Sequence, residues 1–256
     1  MDREVKSALA DKLLAMADDE LILGHRDSEW CGRAPLLEED IAFANLALDE
    51  IGHASLWYAL LAELLGEDGQ TYPDRMVYRR DASDFRSAQL VELPNGDWAF
   101  SMLRQYLFDS FESRHLQAIS GSRYQPMADV AAKVAKEERY HLRHTSAWLR
   151  RLGLGTEESN RRLQDALDQL WPYTGQLFLH SGRPEILAAA GYSTSPVALF
   201  SGWSDQVTRH LQESGLRLPE PAHLPASPAR DQHTATLKIM VADLQSVVRQ
   251  EEEAVW

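Results

Sequence analysis

The sequence predicts an all-α fold: a four-helix bundle with additional peripheral helices. Three observations carry this. Apolar residues recur at the 3.6-residue period in at least five segments. No stretch alternates apolar and polar residues as a half-buried strand would. Two helical pairs carry acids and a histidine at matching places, Glu20 with Glu50 and His53, then Asp109 with Glu138 and His141.

The first helix is expected from about Ser7 to Ser28, with Leu13, Met16, Ala17, Leu23 and Gly24 on one face. Gly32 and Pro35 break it. A second helix follows from about Leu36 to Leu65, with the stripe Phe43, Leu46, Ala47, Glu50, His53, Ala54 and Trp57, and Gly66 ends it. Thr71 to Asp97 is mixed, with a short helix over Asp84 to Leu90 and a turn at Pro94–Asp97. A third long helix covers about Trp98 to Ser120, and a fourth starts near Met127 and stops before Gly153. The fifth starts near Glu157 and ends at Trp171, because Pro172 cannot continue it. Ser181 to Pro196 reads as loose, Pro196 to Glu213 as helix, and Leu216 to Asp231, with four prolines, as an extended connection. A last amphipathic helix is expected over about Gln232 to Glu252. The organisation is that of one helical domain, residues 1–256, with a core bundle over about 7–153 and extra helices over about 157–256.

Composition narrows the partners. The 256 residues hold 26 Lys and Arg against 39 Asp and Glu, a formal charge of −13. Such a surface repels a phosphate backbone, so nucleic acid is not an expected partner. The short basic clusters Arg79-Arg80 and Arg150-Arg151 read as solvated helix ends. The single cysteine, Cys31, permits no intrachain disulfide and no cysteine-rich zinc site; beside Trp30 it is expected as a packed thiol. No apolar run approaches the ~20 residues that span a bilayer. The N-terminal MDREVKSALADKLL has no apolar signal core, so a cytosolic protein without membrane contact is expected.

The candidate chemistry lies in two Glu-x-x-His motifs, Glu50-Ile-Gly-His53 and Glu138-Arg-Tyr-His141. At i, i+3 on a helix, both side chains point the same way. Carboxylate-bridged two-metal centres in ferritin-like bundles are built from two such motifs plus one acid from each of the other two helices. Four carboxylates neutralise two divalent cations, and two imidazoles complete their shells. Glu20 and Asp109 are the expected further acids. Glu20 precedes Glu50 by 30 residues and Asp109 precedes Glu138 by 29, so each pair meets at nearly one height across its turn. Asp18 and Asp19 compete with Glu20, Glu112 with Asp109, and Glu137 with Glu138. Arg139 and Arg143 flank the second motif, so ion pairing is the alternative use of these acids. The metal set is therefore Glu20, Glu50, His53, Asp109, Glu138 and His141, for iron or manganese or for no ion at all. No catalytic residue is assigned.

No nucleophile elbow of the Gly-x-Ser-x-Gly type occurs, and Gly153-Leu-Gly155 reads as a helix-terminating loop rather than a phosphate loop. Trp57, Trp148 and Trp171 fit core or interface positions. Tyr106 and Tyr140 lie near the candidate acids and are expected in the core with their hydroxyls hydrogen-bonded.

Longer stretches carry a resemblance. EWCGRAPLLEEDIAFANLALDEIGHA (Glu29 to Ala54), VELPNGDWAFSMLRQYLFDSF (Val91 to Phe111), KEERYHLRHTSAWLRRLGLGT (Lys136 to Thr156), RRLQDALDQLWPYTGQLF (Arg161 to Phe178) and QHTATLKIMVADLQSVVRQ (Gln232 to Gln250) resemble the family of C-type subunits of bacterial phenylacetyl-CoA epoxidases, PaaC. The resemblance implies a ferritin-like fold and a structural role in a multicomponent monooxygenase of aerobic phenylacetate breakdown. It implies a partner, the catalytic di-iron A-type subunit, together with the other components. It also implies that this chain is not itself catalytic, because the C-type subunit lacks a complete ligand set. This sequence departs there by keeping both Glu-x-x-His motifs. A metal-loaded oxygenase or ferroxidase-like protein acting in its own right is the alternative. A homo-oligomer is expected when the chain is alone.

Overall fold

The computed structural model describes residues 1–180, 182–218 and 227–250. Among them the regular elements are all helical, and no helix is long and apolar enough to cross a membrane. Helix α1 (Arg3–Ser28) and α2 (Leu37–Leu65) form one antiparallel hairpin, α5 (Trp98–Ile119) and α6 (Gln125–Gly153) a second, and α2 meets α6 across the bundle. The predicted stripes of the first two helices are buried as expected. Trp57, Trp148 and Trp171 also lie in the core.

Local chemistry sets the helix ends. Asp2 caps α1, accepting from the Glu4 amide at 2.9 Å, so α1 begins before the expected Ser7. Gly66, at φ +81°, closes α2 in a left-handed conformation that a side chain disfavours. Asp97 accepts from the Phe100 amide to start α5, and Thr156 with Ser159 forms a capping box on α7 (Glu157–Leu170). Pro172 ends α7 at Leu170, and the chain continues as a 3-10 segment, Trp171–Phe178. That segment, α7 and α9 (Pro196–Glu213) pack on α5.

The expected short helix over Asp84 to Leu90 is instead a 3-10 turn, Ala82–Asp84, and one helical turn, α4 (Gln89–Glu92). Two short helices were not legible, α3 (Tyr72–Tyr78) and α8 (Pro184–Ala189). The last helix starts later than Gln232, because buried Glu92 accepts from the Thr234 amide at 2.7 Å and holds His233 Nδ1 at 2.7 Å. It is also split into α10 (Ala235–Leu244) and α11 (Ser246–Gln250). Gln245, between them, is buried and donates to the Val77 and Arg80 carbonyls. The expected extension beyond Gln250, and part of the proline-rich connection, lie outside the described residues.

Four expectations about single residues are corrected. Tyr106 is in the core as expected, but among the described residues its hydroxyl has no hydrogen-bond partner, because no polar group is aligned with it. Cys31 is exposed, because the turn after α1 turns its side chain outward rather than under Trp30. Tyr140 is 70% exposed, since it lies on the outer face of α6. Arg80 is not a solvated helix end: it forms a salt bridge with buried Asp18, and both are hydrogen-bonded to the Tyr58 hydroxyl.

Candidate metal centre

Helix α1 carries three consecutive acids, Asp18, Asp19 and Glu20, all buried. Successive helical residues point about 100° apart, so each meets different neighbours. Asp18 receives Arg80 and the Arg86 amide. Asp19 receives Arg230 through both oxygens, at 2.7 and 2.9 Å, and the Ala88 amide at 2.6 Å. These two acids pin the loops that wrap α1. Glu20 points into the bundle, and among the described residues neither of its carboxylate oxygens has a hydrogen-bond partner.

Five of the six predicted residues converge there. His53 Nδ1 lies 3.6 Å from Glu20 Oε2, 3.9 Å from Glu50 Oε2 and 3.5 Å from Glu138 Oε1. His141 Nδ1 lies 3.5 Å from Glu50 Oε1 and 2.8 Å from Glu138 Oε1. Among the described residues two groups of ligand atoms are compact enough for an ion, the atoms of each within 4.8 Å of one another: Glu20, Glu50 and His53, then Glu50, Glu138 and His141. Glu50 belongs to both. Close approach of the helices makes this geometry: a Cβ on Gly24 would stand 3.0 Å from Glu50 Cβ and 3.1 Å from the Ala47 carbonyl.

Asp109 stands outside both groups. Its oxygens accept from Gln105 Nε2 at 2.9 Å and Thr145 Oγ1 at 2.7 Å, and the same Gln105 amide donates to Glu50 Oε1 at 2.8 Å. Glu112, one turn further along α5, is also buried, and its Oε2 has no hydrogen-bond partner among the described residues.

The sequence reading missed Asp49 and weighed Glu137 only as a rival of Glu138; both acids touch the outer nitrogens of the histidines, each on the opposite helix. His53 Nε2 donates to Glu137 at 2.8 Å, and His141 Nε2 faces Asp49 at 3.2 Å. With Nε2 held by these acids, each Nδ1 would give up its proton to a bound cation and present its lone pair inward; among the described residues neither Nδ1 has an aligned hydrogen-bond partner. The signal was present in the sequence: each motif reads acid-Glu-x-x-His, Asp49 before Glu50 and Glu137 before Glu138. Arg139 and Arg143 are exposed on the far side of α6.

The electrostatics follow from burial. Desolvation, then the charges of Glu112 and Glu50, push Glu20 well above the usual carboxylate range. Burial and then Glu138 do the same to Glu112, and burial lifts Glu138 to about 8. Burial also acts on Glu50, but the closeness of Glu20 and His141 and the charges of both histidines outweigh it and hold Glu50 at about 2. Burial opposes the charge on His141, but Glu138 and Glu50 outweigh it and raise its pKa. Acids outnumber bases in this pocket. It must therefore take up protons or cations. The inward donors, all of Glu and His type and several without a partner, fit a divalent cation of the iron or manganese kind.

Comparison with known proteins agrees with the fold and the sequence pattern. The chain is 36% identical over 236 residues to the C-type subunit of 1,2-phenylacetyl-CoA epoxidase from Escherichia coli (strain K12), covering 92% of this chain and 94% of that protein. It is 27% identical over 145 residues to the A-type subunit of the same enzyme from the same organism, covering 57% of this chain and 45% of that one. A solved structure, protein 19 with aldehyde deformylating oxidase activity from Synechococcus, superposes with a TM-score of 0.61 at 14% identity, covering 96% of this chain and 98% of that one. It shares the fold, which is ferritin-like. Residues 1–256 match the family described as phenylacetic acid catabolic protein, and the chain belongs to that family.

Proposed function

We propose that this chain is the structural and assembly subunit of a multicomponent phenylacetyl-CoA ring epoxidase, a monooxygenase of aerobic phenylacetate breakdown, and that it pairs with the catalytic di-iron A-type subunit. The observation that carries this reading is the 36% identity to the C-type subunit over nearly the whole length of both chains. The surface offers a docking stripe. Leu37, Ile41, Leu48 and Ile51 are exposed along one side of α2, at spacings of four, seven and three residues. That is the period of a helix face packed against another helix. In the complex this stripe meets the catalytic subunit; when the chain is alone it meets a second copy. Co-expression with the catalytic subunit followed by mass measurement tests the reading. The expected result is a stable pair with the catalytic subunit, and a homo-oligomer without it. A strict monomer at micromolar concentration that fails to co-purify with the catalytic subunit would overturn it.

A second reading is favoured by the orphaned inward atoms of Glu20, Glu50, His53, Glu138 and His141. On this reading the chain holds iron or manganese and acts as an oxygenase or ferroxidase in its own right. Glu20, Glu50 and His53 would hold one ion, and Glu50, Glu138 and His141 the other. Such ions supply dioxygen activation when bound. Asp109 would act through its link to Gln105 and Glu50. Metal analysis after purification without chelators separates the readings. Stoichiometric metal, lost in the His53→Ala/His141→Ala double variant, supports the second. No metal in either form counts against it.

A further inference from the structure

A second polar cluster lies outside the carboxylate pocket, two turns earlier on α1. Lys12 is 4% exposed and donates to His115 Nε2 at 2.6 Å. The His115 ring stacks on His180 at 4.5 Å between centroids, and both stack on Phe111. Lys12, His115, His180, Ser193 and Thr194 are the polar lining of a pocket of about 20 Å³, lined otherwise by apolar side chains of α8, α9 and the 3-10 segment and open to solvent on the side of exposed Thr194. The inner space holds a water-sized or halide-sized atom, and formate fits with one oxygen there and the rest toward the open side.

The cavity lining contains no carboxylate. The charged and titratable groups around it are accounted for elsewhere. Asp19 approaches His180 Nε2 at 3.6 Å, but both its oxygens are held by Arg230. Asp11 pairs with Arg183. Among the described residues Lys12 thus has a neutral imidazole as its hydrogen-bonding neighbour and no anion, in a chain whose net charge is −13. Burial, with Arg230 nearby, holds its amine at about 7, so an uncompensated ammonium is costly there.

We infer that the cavity between Lys12, His115 and His180 binds a small monovalent anion of halide or formate size. Every polar group of the lining can donate a hydrogen bond, and an anion provides the charge that Lys12 lacks. A dianion or a bulkier oxyanion exceeds the space.

The test is thermal unfolding of the full chain at pH 6.5 and constant ionic strength, with chloride or formate replacing gluconate. The wild-type midpoint should rise saturably, by about 3 °C when the anion reaches ten times its dissociation constant. Sulfate should give no saturable rise. Lys12→Met should abolish the chloride response. His180→Phe, which keeps a stacking ring and removes the donor, should weaken anion binding several-fold and guards against a folding failure of the first variant. Crystals grown with bromide should show its anomalous signal in this cavity. A wild-type midpoint indifferent to chloride and formate, a response preserved in both variants, or a bromide-free cavity would overturn the inference.

Discussion

His53 Nε2 lies 2.8 Å from Glu137 Oε2, so a histidine of α2 is oriented by an acid of α6. The reverse exchange also occurs, with His141 of α6 facing Asp49 of α2 at 3.2 Å. The acid stands four residues before the histidine of its own helix, yet it reaches the histidine of the other. The two helices therefore fix each other's imidazoles and aim both Nδ1 atoms into one pocket.

Glu137→Gln should weaken metal binding at the pocket by roughly 10–100-fold, because an orienting carboxylate sets tautomer and basicity. Glu137 is 45% exposed, so stability should change by less than about 1 kcal/mol. Titration with manganese or cobalt, alongside urea unfolding, separates the two effects. Unchanged affinity would show that Glu137 does not position His53.

Gly153→Ala should destabilise the fold by about 3 kcal/mol. A Cβ there would lie 2.0 Å from the Ser214 carbonyl oxygen, an approach that requires backbone to move. The gain of about 1 kcal/mol from removing a helical glycine does not offset this. Urea unfolding measures it, and a neutral substitution would show that α6 and the end of α9 can separate freely.

Lys12 gives the folded state a pH slope. Its folded value, about 7, lies below the ordinary 10.5. Between these values the unfolded chain keeps a proton that the folded chain has released, so stability rises with pH across that window and is flat below it. In halide-free buffer the rise from pH 7 to 9.5 should be on the order of 3 kcal/mol larger in wild type than in Lys12→Met. Parallel slopes for the two proteins would contradict the burial account of Lys12.

The core was legible where periodicity and chemistry coincide. Phe43, Leu46, Glu50, His53 and Trp57 repeat at the helical period, and burial of all five follows from one hairpin. The two-fold echo of acids and histidines likewise placed Glu20, Glu50, His53, Glu138 and His141 together. Asp109 was harder, because spacing alone cannot show that Gln105 and Thr145 occupy its oxygens. Asp49 was overlooked, and Glu137 was set against Glu138 of its own helix, because the partners of both lie on the opposite helix. Arg80, Arg230 and Gln245 bind acids or carbonyls more than 60 residues away, and no local pattern announces such contacts. The short helices α3 and α8 hold too few residues for a period to emerge.

The most direct measurement of the assembly role is epoxide formation from phenylacetyl-CoA and dioxygen in mixtures reconstituted with the other components of the complex. This chain alone should give no turnover, and the catalytic subunit should need this chain. Leu48→Asp/Ile51→Asp should lose turnover and pairing together, whereas His53→Ala/His141→Ala should keep both. Full turnover by this chain without the catalytic subunit, or loss of turnover in the histidine variant while the pair stays intact, would contradict the account.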